Sequence, residues 1–384
     1  MIGTKLFRKF FNSEKAGGLI LIICTLLSII ITNSAFGNYY IQFWDLQFAH
    51  HHLSHWINDG LMTIFFLLIG LELEREIYNG ELSNIKNALL PISAAIGGMI
   101  VPAIIYLIFN YGSPTQSGAG IPMATDIAFA LGILSLLGNK VPTSLKVFLT
   151  ALAVIDDLGA ILIIAFFYTK TIIWSNLIIS LSIFLVLLIM NRSKVYNLIP
   201  YLIGGFFMWY FMLNSGVHAT ITGVLLAFAI PFSHGKRNST SYILQDWLHK
   251  PVAFLILPLF ALANTAIVFG KEWHLAYTQN YTIGIALGLI IGKPLGIFVF
   301  SYFSTKFKIC SLPDDMNWRS VIGVGFLGGI GFTMSIFVTL LAFSDQTHII
   351  NSKIMIISAS IISGLIGVLF LKSILRNVSK KSKI

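Results

Sequence analysis

The chain has 384 residues, of which 56% are hydrophobic and only 10% are charged. An ordinary soluble domain carries roughly 25% charged residues, so this composition excludes a soluble globular fold. The net charge is +10, which in a soluble protein would suggest a nucleic acid or another polyanion as partner. In a membrane protein the distribution of the charge along the chain matters more than its sum, and we predict no nucleic-acid partner.

Twelve largely apolar runs account for most of the chain. A membrane-spanning helix needs about 20 such residues, and only helices satisfy their own backbone in lipid at this length. We therefore predict an all-α polytopic membrane protein with about 12 transmembrane helices. The runs are Gly17–Ile31, Gly60–Ile77, Ala88–Phe109, Ile121–Leu137, Leu145–Tyr168, Ile172–Met190, Leu198–Leu213, Val217–Ile230, Val252–Phe269, Ile283–Phe303, Val321–Phe343 and Ile354–Leu371.

The Lys and Arg residues between the runs give the orientation. With the N-terminus in the cytoplasm, 21 of them lie on the cytoplasmic side and only Lys170, Lys271 and Lys353 lie outside. An even number of spans then puts both termini in the cytoplasm. We predict a single transmembrane domain over residues 1–384 in the inner (plasma) membrane, with short cytoplasmic tails at 1–15 and 372–384.

Four ionisable residues lie well inside the runs: Asp126, Asp156, Asp157 and Lys293. Each costs about 2.5 to 3.5 kcal/mol at the centre of a span, so the four must compensate one another or line a wet cavity. A single Asp–Lys pair would suffice to hold helices together. Three carboxylates against one ammonium leave a surplus of negative charge, which invites a cation.

The consecutive residues Asp156 and Asp157 diverge by about 100° on a helix. One of them can pair with Lys293 while the other faces a cavity. Protons and a small hard cation then compete for the same carboxylate oxygens. Such competition is in itself a mechanism of exchange, although a purely structural role for the charges stays open at this point.

Two of the runs are interrupted. The fourth contains Gly118, Gly120 and Pro122, and the eleventh contains the glycine-rich stretch Gly323–Gly331. Interrupted segments at corresponding positions of two halves point to a transporter site. Runs three to five and ten to twelve share the order intact, interrupted, intact, which predicts inverted-topology repeats with helices 4 and 11 interrupted. Close helix packing is the alternative explanation for the glycines.

A second charged group ends the second run: Glu72, Glu74, Arg75 and Glu76. Glu72 and Glu76 share one helix face. The group is either a solvated helix end or an acidic funnel that attracts cations and senses pH. Two further residues, Asp59 near the outer end of this run and His218 in the eighth, are weaker candidates for a pH response, because a lone buried histidine is more often a hydrogen-bonded core residue.

The longest external connection, Thr32–Asn58, carries an alternating aromatic stretch, Tyr39–Trp44, followed by His50, His51, His52 and His55. It can be an aromatic segment at the membrane interface or a short hairpin used for subunit contact. A metal site is a third possibility, although the histidines lack the acidic neighbours that usually support one. The two cysteines, Cys24 and Cys310, argue against a disulfide framework or a zinc site.

Together these features resemble the NhaA family of bacterial sodium/proton antiporters, over nearly the whole chain. Any one matching stretch is weak evidence, but seven in the same order are highly specific. The family is itself a standard example of inverted repeats, so the agreement on repeats is not independent. The stretches are Trp56–Gly60, Phe65–Glu72, Ala124–Ala130, Val154–Ala160, Gly216–Thr220, Gly292–Gly296 and Gly331–Ser335.

The resemblance implies electrogenic exchange of cytoplasmic Na+ or Li+ for external protons, with no cofactor, and two broken helices that cross at mid-membrane. By position in the motifs, Asp156 and Asp157 correspond to the pair that binds Na+ and protons, and Lys293 to the partner of Asp156. Asp126 and Thr125 correspond to supports beside the helix break. The residues implied in pH control are Glu72, Arg75, Glu76 and His218, to which we add Asp59.

The resemblance also implies a homodimer, because the aromatic stretch falls where family members form a hairpin that joins two protomers; we assign this contact to residues 39–50. The chain departs from the family pattern at Glu74, where the family often has Lys, and at Gln245, Asp246 and His249, where it tends to carry a Glu and several His. We therefore do not carry a pH-sensing role over to those last three residues.

Three other functions compete with transport. An intramembrane aspartyl protease would need a Gly-x-Gly-Asp motif, which is absent, so we predict that the protein is not an enzyme. A retinal-type photoreceptor with Lys293 as Schiff base would have seven spans. A cation channel is the nearest alternative and would conduct without coupled proton movement.

Overall fold

The computed structural model describes residues 2–48, 51–138, 141–169, 171–232, 239–270 and 273–381, and these are mostly helical. Local sequence explains several helix starts, because Asn84, Asn197 and Asn317 each accept a hydrogen bond from a backbone N–H of the first turn that follows. The helices are α1 (Ile2–Thr32), α2 (Gly37–Trp44), α3 (Leu53–Asn79), α4 (Ile85–Asn110), α5 (Ile127–Leu136), α6 (Thr143–Phe167), α7 (Trp174–Arg192), α8 (Leu198–Leu213), α9 (Ile221–Ala229), α10 (Thr240–Asn264), α11 (Asn280–Lys306), α12 (Trp318–Gly328), α13 (Phe332–Ala342) and α14 (Gln346–Lys381).

Several stretches depart from α-helical geometry. The 3-10 segments are Glu81–Ser83, Gln116–Met123 and Trp273–Tyr277, and the π-helical turns are Trp56–Leu61 in α3, Val252–Ile256 in α10 and Gly288–Gly292 in α11. Strands β1 (Gln47–Phe48) and β2 (His51–His52) form a small antiparallel pair.

Among the described residues, eight helical segments are long and apolar enough to cross a membrane: α3, α4, Gln116–Leu136, α6, α7, α10, α11 and the part of α14 up to Leu375. Helices α12 and α13 pass the same test only as a pair bent by 49°, and α8 is shorter than a full span. The run predicted at Val217–Ile230 forms only the nine residues of α9. The protein is therefore a multi-pass membrane protein, while the count of twelve spans stays a prediction.

The order intact, interrupted, intact recurs in the two predicted halves, in α4 to α6 and again in α11 to α14. Helix α4 packs against α11, and a Cβ added at Gly97 would overlap the carbonyl of Gly296. Helix α3 packs mainly against α9, and α1 packs against α5 and α10. The symmetry that would relate the two halves stays a prediction.

The hairpin prediction was wrong in its position. Tyr39–Trp44 belongs to helix α2, and the strand pair lies further along the chain. A helix places Tyr40 and Trp44 on one face, where their rings meet edge to face at 5.8 Å, and the Tyr40 hydroxyl donates to the carbonyl of Leu262. Residues Ala49 and His50, which complete the predicted contact segment, lie outside the described residues. Helical backbone continues into both predicted tails, since α1 begins at Ile2 and α14 ends at Lys381.

Candidate functional site

The two interrupted spans meet at their breaks. In the fourth, the 3-10 segment Gln116–Met123 gives way to extended backbone at Ala124–Asp126 before α5 begins. In the eleventh, residues 329–331 separate α12 from α13. The N–H of Asp126 donates to the carbonyl of Ile330 at 2.7 Å, and so each break satisfies a backbone group of the other.

The Asp126 carboxylate lies between the N-termini of two helices. It caps α5 by accepting the N–H of Phe129 at 2.9 Å, and its other oxygen accepts the N–H of Thr333 at 3.0 Å together with the Thr333 hydroxyl. Both helix dipoles present their positive end to this buried carboxylate. The structure thus surrounds Asp126 with donors that stabilise a charged carboxylate, and it places the residue at the break.

Asp156 on α6 and Lys293 on α11 form a fully buried ion pair, with Lys293 Nζ 2.5 Å from Asp156 Oδ2. The hydroxyl of Thr125 donates to the same Asp156 oxygen at 2.7 Å. The second oxygen, Oδ1, has no hydrogen-bond partner in the described part of the chain. One side of this carboxylate is therefore committed to two donors, while the other side is available to a proton or a cation.

Lys293 follows directly after the π-helical turn Gly288–Gly292, and its N–H reaches back to the carbonyl of Gly288. Such turns occur frequently at functional sites. Pro294 comes next and cannot donate a backbone hydrogen bond, so the helix lacks one hydrogen bond directly after Lys293. The side chain of Lys293 passes Gly98 of α4 on its way to Asp156.

Asp157 is also completely buried, yet neither of its carboxylate oxygens accepts a hydrogen bond from any group in the described ranges. The charged groups that act on it are Asp156, Asp126, Lys293 and Glu72. An ionised carboxylate in this environment is very costly unless a proton or a cation neutralises it. The arrangement therefore suits a site that alternates between a proton and an oxygen-seeking cation.

Comparisons with known proteins show the family of this chain. Residues 8–371 match the family model described as Na+/H+ antiporter 1. The chain belongs to the NhaA family of Na+/H+ antiporters. It is 69% identical over 380 residues to the Na+/H+ antiporter NhaA of Flavobacterium psychrophilum, covering 99% of both chains. It is 61% identical over 373 residues to the NhaA of Cytophaga hutchinsonii, covering 97% of this chain and 96% of that one.

A solved structure resembles the chain in fold. The sodium proton antiporter MjNhaP1 from Methanocaldococcus jannaschii aligns with a TM-score of 0.51 at 14% identity, covering 98% of this chain and 96% of that one. At this identity the likeness concerns the fold alone. With the NhaA membership settled by sequence, it indicates that the architecture is that of an antiporter fold.

In this NhaA-family chain the acidic group at the end of α3 is largely buried under α10. Glu72 lies 4.0 Å from His249 Nδ1 and also interacts with Gln245, while Glu74 accepts the hydroxyl of Ser241 at 3.2 Å. This burial excludes a solvated helix end for Glu72 and Glu74. Only the pair Arg75 and Glu76, 3.5 Å apart, is partly exposed.

The sequence did not identify Ser241, Gln245 and His249 of α10 as partners of the acidic group. Ser241, Gln245 and His249 recur every four residues and therefore share one helix face. That spacing was visible in the sequence and could have identified the face of α10 that covers the acidic group. Asp246 lies between them in sequence and is exposed.

Asp59 and His218 do not join this acidic group. Thirteen residues separate Asp59 from Glu72, which corresponds to roughly 20 Å along a helix. Asp59 instead pairs with His55 at 3.2 Å and interacts electrostatically with His218, whose Nε2 lies 3.1 Å from the carbonyl oxygen of Tyr168. Asp59 and His218 therefore lie apart from the acidic group, and a pH response of these two residues stays a prediction.

The histidine-rich connection does not form a metal centre in the part that the structure describes, where no three His, Cys, Asp or Glu side chains could hold an ion together. His51 and His55 instead stack with ring centroids 4.3 Å apart, and His52 Nδ1 lies 2.8 Å from the carbonyl of Asp45. His50 lies outside the described residues.

Proposed function

We propose that this chain exports cytoplasmic Na+ or Li+ in exchange for external protons, for sodium and pH homeostasis. The whole chain then acts as one transporter domain of the inner membrane with both termini in the cytoplasm. The relatives that share most of its sequence are named Na+/H+ antiporters. The observation that carries the proposal is Asp157, a buried carboxylate without a hydrogen-bond donor among the described residues, next to an Asp156 already paired with Lys293.

The division of roles follows from the contacts. Lys293 neutralises Asp156, so Asp157 is the carboxylate beside this pair that has neither a counter-charge nor a donor among the described residues, and it needs a proton or a cation. A Na+ ion is held by oxygen ligands, which both aspartates offer. When the cation binds, two protons leave the unit formed by Asp156, Asp157 and Lys293, and only the loaded forms reorient between the two sides of the membrane. Two protons moving inward for one cation moving outward make the cycle electrogenic.

The test uses everted membrane vesicles that carry a pH gradient. We expect Na+ and Li+ to dissipate the gradient and K+ to have no effect. Asp157→Asn should abolish the response, because the variant cannot exchange a proton for a cation. Asp345→Asn is the matched control, since Asp345 lies at the exposed start of α14. Full activity of Asp157→Asn would falsify the role of this aspartate, and a cation conductance without proton movement would indicate a channel.

The homodimer is part of the same proposal. The contact segment, residues 39–50, includes most of α2 and strand β1, and it exposes the large side chains of Tyr39, Phe43 and Phe48. Exposed aromatic residues of this kind suit a subunit contact. Cysteine substitution at Phe48 followed by crosslinking in membranes tests it; a monomer under all oxidising conditions would contradict it.

A further inference from the structure

Two tyrosine hydroxyls donate to backbone carbonyls at the start of the 3-10 half of the fourth span. Tyr106 on α4 donates to the carbonyl of Thr115, and Tyr168 donates to the carbonyl of Ser117, both at 2.7 Å. This segment, Gln116–Met123, leads directly to Thr125 and Asp126. A 3-10 helix of this length has poorer hydrogen-bond geometry than an α-helix, so its position depends on outside support.

Two glycines allow the hydroxyls to approach the backbone so closely. A Cβ at Gly118 would overlap the Tyr106 oxygen, and a Cβ at Gly120 would approach the Tyr168 oxygen at 2.6 Å, closer than real Cβ atoms come. Both phenol rings are buried. The tyrosines therefore contact the backbone of the segment rather than its side chains.

Tyr168 makes a second contact through its backbone. It follows the last residue of α6, the helix that carries Asp156 and Asp157, and its carbonyl faces His218 Nε2 at 3.1 Å. Close by, the N–H of Ile173 donates to the carbonyl of Ser215 at 2.8 Å. His218 precedes α9, which packs against α3. Tyr168 thus connects the aspartate helix, the interrupted span and the α3–α9 pair.

We propose that Tyr168 is a positioning residue for the exchange site. Its hydroxyl fixes where the segment Gln116–Met123 lies relative to α6, and its carbonyl links that segment to His218. Tyr168 lies eleven residues beyond Asp157, roughly 16 Å along the helix, so it acts without touching the ion. The proposal rests on the proposed function only in that transport is one of its two readouts.

The first test is Tyr168→Phe in the full-length protein, which removes one oxygen and keeps the ring. We expect the Na+ concentration for half-maximal transport to rise by about 2- to 10-fold, as the loss of one hydrogen bond allows, with the maximal rate little changed. Tyr201→Phe is the matched control, because the buried Tyr201 also donates its hydroxyl to a backbone carbonyl, that of Val195, near the start of α8. It should transport like the unchanged protein.

The second readout does not depend on transport. Backbone amides of residues 116–125 should exchange hydrogen faster in Tyr168→Phe than in Tyr201→Phe, and Gly120→Ala, which displaces the same hydroxyl, should act in the same direction. Equal exchange in both tyrosine variants would overturn the positioning role, while the Asp157→Asn result would still decide the function. The link to His218 is overturned if His218→Ala, which removes the ring that faces the Tyr168 carbonyl, leaves the amide exchange of residues 116–125 unchanged.

Discussion

Thr125 donates its hydroxyl to the Asp156 oxygen that also binds Lys293, and this hydroxyl has one proton for two acceptors. Its Oγ1 lies 2.7 Å from Asp156 Oδ2 and 2.8 Å from the carbonyl of Gly328, the last residue of α12. An ionised carboxylate is the stronger acceptor, so it takes the proton first. Protonation of Asp156 at its free oxygen, Oδ1, makes Oδ2 a weaker acceptor, so the Thr125 hydroxyl can donate to Gly328 instead. The protonation of Asp156 thereby shifts the Thr125 hydroxyl between Asp156 and the end of α12.

The first prediction concerns this hydroxyl. Thr125→Val keeps the shape of the side chain and removes the donor that stabilises ionised Asp156. Protons then compete better with the cation, so the pH of half-maximal transport should rise by about one unit, in line with the loss of a hydrogen bond to a charged group. Thr125→Ser keeps the hydroxyl and is the matched control. Identical pH profiles of the Val and Ser variants in vesicles would show that the hydroxyl does not act on Asp156.

The second prediction concerns the ion pair between Lys293 and Asp156. Lys293→Ala leaves a buried carboxylate without its counter-charge, which should lower the free energy of unfolding by about 3 to 5 kcal/mol. The double variant with Asp156→Asn removes the stranded charge and should recover most of that loss. Unfolding in mixed detergent micelles measures both. Equal stability of the single and double variants would mean that the unpaired Asp156 carboxylate does not destabilise the fold and that any loss in Lys293→Ala has another cause.

The sequence was sufficient to find the buried charges and the breaks, for a physical reason. An ionised residue in an apolar run is costly, and glycine and proline weaken a helix, so Asp156, Asp157, Lys293 and Pro122 were visible without a structure. The sequence did not show which of these side chains contact one another. The contact between Asp126 and Thr333 joins residues 207 positions apart, and no local pattern specifies it.

Short patterns were the least reliable part of the sequence analysis. The order of side chains in Tyr39–Trp44 fits both a strand with alternating faces and a helix with partners four residues apart. The structure has the helix, in which the Tyr40 hydroxyl donates to the carbonyl of Leu262. Residue type alone likewise did not show that Asp59, a candidate for the pH response, lies far from Glu72, because the distance follows from the length of α3.

The third prediction concerns the break of the eleventh span. A Cβ at Gly329 would overlap the carbonyl of Leu289, which lies in the π-helical turn before Lys293, and the hydroxyl of Ser363. Gly329→Ala should therefore push α11 away from the break, misplace Lys293 and remove most Na+/H+ exchange. Gly270→Ala is the matched control, since nothing lies within 4 Å of the added atom. Near-normal exchange by Gly329→Ala would show that this close approach is not needed for transport.

The fourth prediction concerns Glu74, where this chain departs from the common family pattern. Glu74 is buried at the predicted cytoplasmic end of α3, close to Glu72 in sequence, and it accepts the Ser241 hydroxyl. If the acidic group concentrates cations at this entrance, the Na+ concentration for half-maximal transport should rise in Glu74→Gln and rise further in Glu74→Lys. The reason is that the two changes alter the local charge by one and by two units.

Ionic strength separates charge from packing in this fourth prediction. An effect of charge at the entrance weakens as salt screens it, whereas a lost hydrogen bond does not. The rise should therefore shrink when choline chloride replaces sucrose in the vesicle buffer. Ser241→Ala removes the hydrogen bond at constant charge and should leave the Na+ dependence nearly unchanged. Glu74 would be a packing residue if Glu74→Gln, Glu74→Lys and Ser241→Ala had equal effects that did not change with salt. Only Glu72 and Glu76 would then remain as acidic members of the funnel.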